Sequence, residues 1–398
     1  MQTHNIPQEN SQKTVFPILF SIAFAHLIND LLQAVIPASY PILKENFHLN
    51  FTQIGLITLC YQLAASILQP LVGLYTDKKP QPFSQIFGMF FSLLGILFLA
   101  YANSFYTILI SVVFVGIGSS IFHPEASRIS FLASGGKRGL AQSIFQLGGN
   151  LGTAIGPLLV ALIVVPNNQQ HIVWFAIAAI LGLMILSKIA VWYRTHIKLR
   201  SDKKTIIELP NISQRKINFS VAILMVILFS KFFYTASISS YFTFYLIEKF
   251  QLSVRDAQLH LVLYLASAAF GTLIGGPLGD KFGRKYVIWF SILGVAPFAL
   301  LLPYADLFWT SVLSVIIGTI ISSAFPAILV YAQELMPKKL GMVSGLFYGF
   351  AFGMAGLGSA LLGNLADKTS ISYVYQICSY LPIIGIIALF LPNLKKKI

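Results

Sequence analysis

Polar residues are sparse along this chain, which reads as long apolar runs cut by short polar breaks. A helix needs about 20 mostly apolar residues to cross the hydrocarbon core of a bilayer. Twelve stretches meet that length, at 16–43, 51–76, 83–102, 105–130, 138–165, 171–193, 218–247, 254–279, 285–304, 307–333, 340–365 and 371–392. A transmembrane β-barrel would show alternating segments of about ten residues, and that alternation is absent from the sequence. Most breaks are only a few residues long. The exception is "YRTHIKLRSDKKTIIELPNISQRKIN", Tyr193 to Asn218, which is polar and basic. It predicts an N-terminal six-helix half (1–193), a central loop (194–217) and a C-terminal six-helix half (218–398).

The halves repeat one another. Tyr61 and Tyr264, Gly73 and Gly276, and Asp77 and Asp280 are each offset by 203 positions. Further on, Gly116 and Gly318, Pro124 and Pro326, and Gly139 and Gly341 are offset by 202. A one-residue slip over about a hundred is what a diverged duplication leaves. Parallel repeats of this kind place a cavity at their interface near the bilayer midplane, as in secondary transporters.

Composition agrees with the pattern: 10% of the 398 residues are charged and 56% are hydrophobic. Soluble domains carry about 25% charge, so an integral membrane protein is expected. The net charge of +14 raises the question of nucleic acid, but the basic residues sit in short loops between spans, where topology explains them. With the N-terminus in the cytoplasm, 21 Lys and Arg fall in inside segments and four in outside segments. Both termini are therefore expected to be cytoplasmic. The polar first 14 residues and the long apolar run after them argue against a cleavable signal peptide. Cys60 and Cys378 lie in apolar runs and read as packing residues.

"GGPLGDKFGRK", in the turn after span eight, resembles the signature G-x-x-x-D-[RK]-x-G-[RK] of the major facilitator superfamily, carried by Gly276, Asp280, Lys281, Gly283 and Arg284. Its first-half copy, "GLYTDKKP", keeps Gly73, Asp77 and Lys78 but has Pro80 in place of the second glycine. In span five, Gly152, Gly156 and Pro157 resemble the core of the antiporter motif of drug:proton exchangers. The arginine motif that such exchangers carry in span four is missing. Within the superfamily, "AHLINDLLQAVIPASYPILKENF", "GIGSSIFHPEASR" and "ASGGKRGLAQSIFQLGGNLGTAIGPLL" are similar to the fosmidomycin resistance family. That resemblance implies a bacterial inner-membrane protein that exports an anionic phosphonate drug by proton antiport. A monomer is expected, because each half supplies the partner surface for the other.

Ionisable groups in a span cost at least about 2.5–3.5 kcal/mol and generally face a cavity. In span one, His26 and Asp30 share a helix face, with Asn29 beside them. They are candidates for proton coupling, as is Glu125 of "FHPEASR". Glu125 and Arg128, three apart, can pair near the end of span four, while His123 points about 200° away from Glu125 around a regular helix. Lys231, midway along span seven, is the buried cation that an anionic substrate needs. His123, Arg128, Asn29, Gln146 and Tyr234 complete the candidate substrate contacts. The H-x-E of His123 and Glu125 lacks the cysteine pair of zinc deaminases. There is no H-E-x-x-H and no nucleotide-binding loop, so neither an enzyme nor a cofactor is expected. A proton symporter for an organic anion fits the same residues and differs only in the direction of coupling.

Overall fold

The computed structural model describes residues 14–201 and 212–394. The expected cytoplasmic position of the two termini, and the basic residues Lys13, Lys203, Lys204 and Lys395 to Lys397, lie outside the described residues. Every regular element described is helical. Eleven helices are long and apolar enough to cross a membrane. A twelfth, α4 (Ser84–Ala100), is apolar but has only 17 residues; at 1.5 Å per residue it rises about 26 Å.

Span one is α1 (Phe16–Ala38) followed by α2 (Tyr40–Asn46). Pro41 has no N–H to offer the carbonyl of Pro37, so the helix breaks between them. Span two is α3 (Phe51–Lys78), opened by a capping box in which Asn50 and Gln53 satisfy each other's backbone N–H. The next three long helices are α5 (Phe105–Ala133), α6 (Arg138–Leu159) and α7 (Phe175–Ser201). Spans seven and eight are α8 (Gln214–Phe250) and α9 (Val254–Phe282). Span nine is split into α10 (Arg284–Leu293) and α11 (Ala296–Leu301). Span ten is α12 (Leu307–Ser322) and α13 (Ala324–Leu335). Pro326 leaves the Ser322 carbonyl without its helical donor, and the Thr272 hydroxyl of α9 supplies one at 3.2 Å. The chain closes with α14 (Leu340–Lys368), α15 (Ile371–Cys378) and a tighter helix, Leu381–Phe390.

Two long seams carry most of the contact between the first six spans and the last six: α3 runs along α14, and α6 along α9. Lipid gives helices no hydrophobic reason to associate, so such crossings rely on close backbone approach at small residues. Gly73 lies on the backbone of Gly341, Gly349 on that of Ser66, and Gly276 on that of Gly139. Contacts cross between the two sets at both ends of the bundle. At the end carrying the basic loops, Asp77 accepts from the amides of Gly341 and Met342. At the opposite end, Thr52 donates to Asp367 at 2.7 Å and Gln258 to the Ala38 carbonyl at 3.1 Å. That opposite end also exposes Tyr101, Tyr106, Trp174, Tyr304 and Trp309, aromatic residues of the kind that gather at the lipid headgroups.

Candidate functional site

One face of α1 carries His26, Asp30 and Gln33 at helical spacing, with Asn29 next to Asp30. His26 Nε2 lies 3.2 Å from Asp30 Oδ2. The other carboxylate oxygen, Oδ1, accepts from the Asn29 amide at 3.0 Å and the Gln33 amide at 3.1 Å. Gln33 is itself oriented by the Tyr61 hydroxyl of α3. Across from this face α5 presents His123, whose Nε2 is 3.2 Å from His26 Nε2 and 3.5 Å from Asp30 Oδ1. Expected among the substrate contacts, His123 thus joins the two groups expected to couple protons. Both imidazoles are almost wholly buried, His26 at 2% exposure and His123 at 1%. The three side chains converge closely enough for a single shared cation.

Aromatic rings wall this triad. Phe145 of α6 stacks on His26 with centroids 4.0 Å apart. Tyr348 and Phe352, both on α14, each lie 5.0 Å from the His123 ring. The Tyr348 hydroxyl donates to Gln146 at 2.5 Å and accepts from Gln142 at 3.2 Å, tying α14 to α6 beside the triad. Room for the triad comes from Gly149 of α6. A Cβ there would sit 2.6 Å from both Asp30 Oδ2 and the His26 ring.

Lys231 of α8 is buried, with its ammonium 5.1 Å from the Phe232 ring centre and 5.2 Å from that of Phe325. Among the described residues no carboxylate pairs with it. Phe325 in turn packs edge-on against Tyr348 at 5.1 Å. The cation and the triad therefore stand on either side of a thin aromatic partition. Tyr234 is buried further along α8, beside Tyr245, Tyr264 and Cys378.

Arg128 is committed elsewhere. It donates to the Thr76 carbonyl and to Asp77, and lies 3.5 Å from Glu125. It therefore occupies the basic-loop end of the bundle, not the surroundings of Lys231. In the second half the corresponding place is filled from the start of α10: Arg284 reaches Asp280 at 3.0 Å and Glu334 at 3.1 Å. Glu334 of α13 thus pairs with Arg284. The two arrangements are alike in charge but not in source. The first-half turn has lost its arginine, and α5 supplies the guanidinium instead. Asp280 closes on the start of α6, where a Cβ at Gly139 would strike its carboxylate. Gly283 makes the tight turn at φ 100°. Gly152 and Gly156 of α6 admit α1 at Leu27 and Ala34, and Pro157 follows inside the last turn of the helix.

Sequence reasoning did not single out Gly149, Gln33, Tyr348 or Phe352. A helical wheel shows which residues share one helix, and these are contacts between helices.

The family model of the major facilitator superfamily matches residues 22–253 and 223–398. The fosmidomycin resistance protein of Escherichia coli strain K12 is 55% identical over 385 residues, covering 97% of this chain and 95% of the relative. An uncharacterised transporter of Bacillus subtilis strain 168, YfnC, is 44% identical, covering 96% and 94%. Among solved structures, the human organic anion transporter MFSD10 superposes with a TM-score of 0.73 at 16% identity, covering 96% of this chain and all of that one. The fucose transporter FucP in its outward conformation superposes at 0.68 and 16%, covering 95% and 98%. With repeat, signature and fold in agreement, the chain belongs to the major facilitator superfamily, alongside the fosmidomycin resistance protein.

Proposed function

We propose that the chain exports fosmidomycin, or an anionic phosphonate much like it, across the bacterial inner membrane in exchange for protons. The observation that carries this reading is the division of charge between the halves. An acid–imidazole cluster built for protons lies in 1–193, and a buried ammonium without a carboxylate partner lies in 218–398. A desolvated cation is costly unless something pairs with it. A phosphonate oxygen docking on Lys231 supplies that partner, with Tyr234 and Gln146 as further contacts. His26, Asp30 and His123 hold the exchanged proton. The aromatic partition keeps the two loads apart, so exchange arises because each load favours a different closure of the bundle.

Asp77, held by Arg128 and accepting from the Gly341 and Met342 amides, and Asp280, held by Arg284 against Gly139, act as latches at the cytoplasmic end, released when that end opens. Both termini lie in the cytoplasm, the protein works as a monomer among membrane lipids, and neither nucleic acid nor a cofactor takes part. The homologue's name supports the drug, and the charge pattern supports its class.

One observation favours a second reading: a protonated triad and a bound anion attract each other, as co-transport of acid and anion requires. Everted vesicles energised by respiration, with a luminal pH dye, separate the two. Exchange raises luminal pH when fosmidomycin is added, and only when the protein is present. Unchanged pH, together with failure to accumulate labelled drug, would overturn the export reading.

A further inference from the structure

The triad poses a problem in hydrogen counting. His26 Nδ1 lies 2.8 Å from the Phe145 carbonyl, and His123 Nδ1 lies 3.0 Å from the Ser119 carbonyl. A carbonyl oxygen only accepts, so a hydrogen on each Nδ1 satisfies it; the Ser119 hydroxyl, 3.1 Å from His123 Nδ1, accepts there as well and directs its own hydrogen to Gln33 Oε1 at 3.5 Å. If both rings are neutral, each Nε2 is then a bare lone pair. Those two lone pairs would face each other at 3.2 Å while also facing the Asp30 carboxylate. Three acceptors would converge in a nearly dry site with nothing between them.

One added proton removes the conflict. Placed on either Nε2, it makes an N–H···N bond to the other ring and leaves an imidazolium beside an aspartate. The carboxylate already accepts two amide donors on Oδ1, and such bonds favour its charged form. The charged and titratable groups facing the pair from each neighbouring element are few: Asp30 on α1, Tyr61 on α3 and Tyr348 on α14. From α6, among the described residues, the amides Gln142 and Gln146 stand beside it through Tyr348.

Resting on the proton-exchange reading above, we infer that the transported proton is held between His26 Nε2 and His123 Nε2, with Asp30 remaining ionised as its counter-ion. The carboxylate is thus a positioning residue, and the proton-binding group is the histidine pair. Because α1 and α5 both belong to the first six spans, the bridge travels intact as the halves rock. Tyr348 and Phe352, coming from α14, cover or uncover it.

The test uses the full-length protein in liposomes, following fosmidomycin-driven proton release between pH 5 and 9. Asp30→Asn leaves the histidine pair in place without its counter-ion. It is expected to retain drug-driven proton release, weakened and with an altered pH profile, because the pair that binds the proton is still present. His26→Gln and His123→Gln should each abolish drug-driven proton release. Drug binding to Lys231, measured separately, shows that these variants fold. If Asp30→Asn abolishes that release while both histidine variants retain it, the carboxylate carries the proton and the inference is wrong. Nitrogen NMR of ring-labelled histidine in the wild-type protein gives an independent reading: one doubly protonated ring is expected, and two bare Nε2 atoms at the pH of transport would overturn the bridge. A stoichiometric bound metal in the purified protein would overturn it as well. Absence of drug-driven proton movement in the wild type would instead sink the exchange reading itself.

Discussion

Lys231 is a charge held away from water and from every described carboxylate, with two aromatic rings for company. A hydrogen bond to a charged group contributes about 1.5–3 kcal/mol, so Lys231→Ala should weaken fosmidomycin binding about 10–150-fold in a direct binding assay. Lys231→Arg should recover part of that loss. Equal affinity in Lys231→Ala would show that the anion docks elsewhere. Gly149 tests the other centre. Gly149→Ala drives a methyl into the Asp30 carboxylate and the His26 ring, and overpacking of this kind costs about 1–3 kcal/mol. Drug-driven proton release should fall about 5–150-fold, with little change in drug binding at Lys231. Two of the three members of the triad were legible in the sequence, because His26 and Asp30 are four apart on one helix. His123 was not, since its angle on α5 says nothing about which neighbour it meets. Gly149 stood in plain view in "GGN", but a glycine's reason shows only when the atoms it admits are known.

At the scale of elements, the apolar runs located every span, because a bilayer demands length and hydrophobicity and little else. The breaks were less legible. Spans one, nine, ten and twelve are each interrupted. A proline announces only that a hydrogen bond is lost; whether the helix bends or stops depends on what satisfies the freed carbonyl, as Thr272 does for Ser322. Repeat symmetry matched Asp77 with Asp280, and helix spacing brought Arg128 to Glu125, but neither shows that Arg128 also reaches Asp77, a contact made between helices. Removing one partner of a buried ion pair costs about 3–5 kcal/mol. Arg128→Ala and Asp77→Asn should therefore each lower the thermal midpoint of the purified protein. Their combination should cost clearly less than the sum of the two, since each variant has already lost the same pair. Additive losses would show that Arg128 works mainly through Glu125 and Thr76.

For the whole molecule, contacts cross between the two sets of spans at both ends, so transport requires one end to part while the other holds. Thr52 and Asp367 touch at the end opposite the basic loops. A disulfide between Thr52→Cys and Asp367→Cys, in a chain whose own Cys60 and Cys378 are replaced by alanine, should stop drug accumulation in everted vesicles, and reduction should restore it. Unimpeded transport by the cross-linked protein would show that this end never needs to open.

The glycines along the α3–α14 and α6–α9 seams have a mechanical consequence. Interlocked side chains work like teeth and must disengage before one helix can slide past another. Where Gly73, Gly349 and Gly276 lay backbone on backbone, there are no teeth, and the seam is closer to a plain bearing. Such a joint yields to small biases. A single added methyl at such a crossing would make it seize.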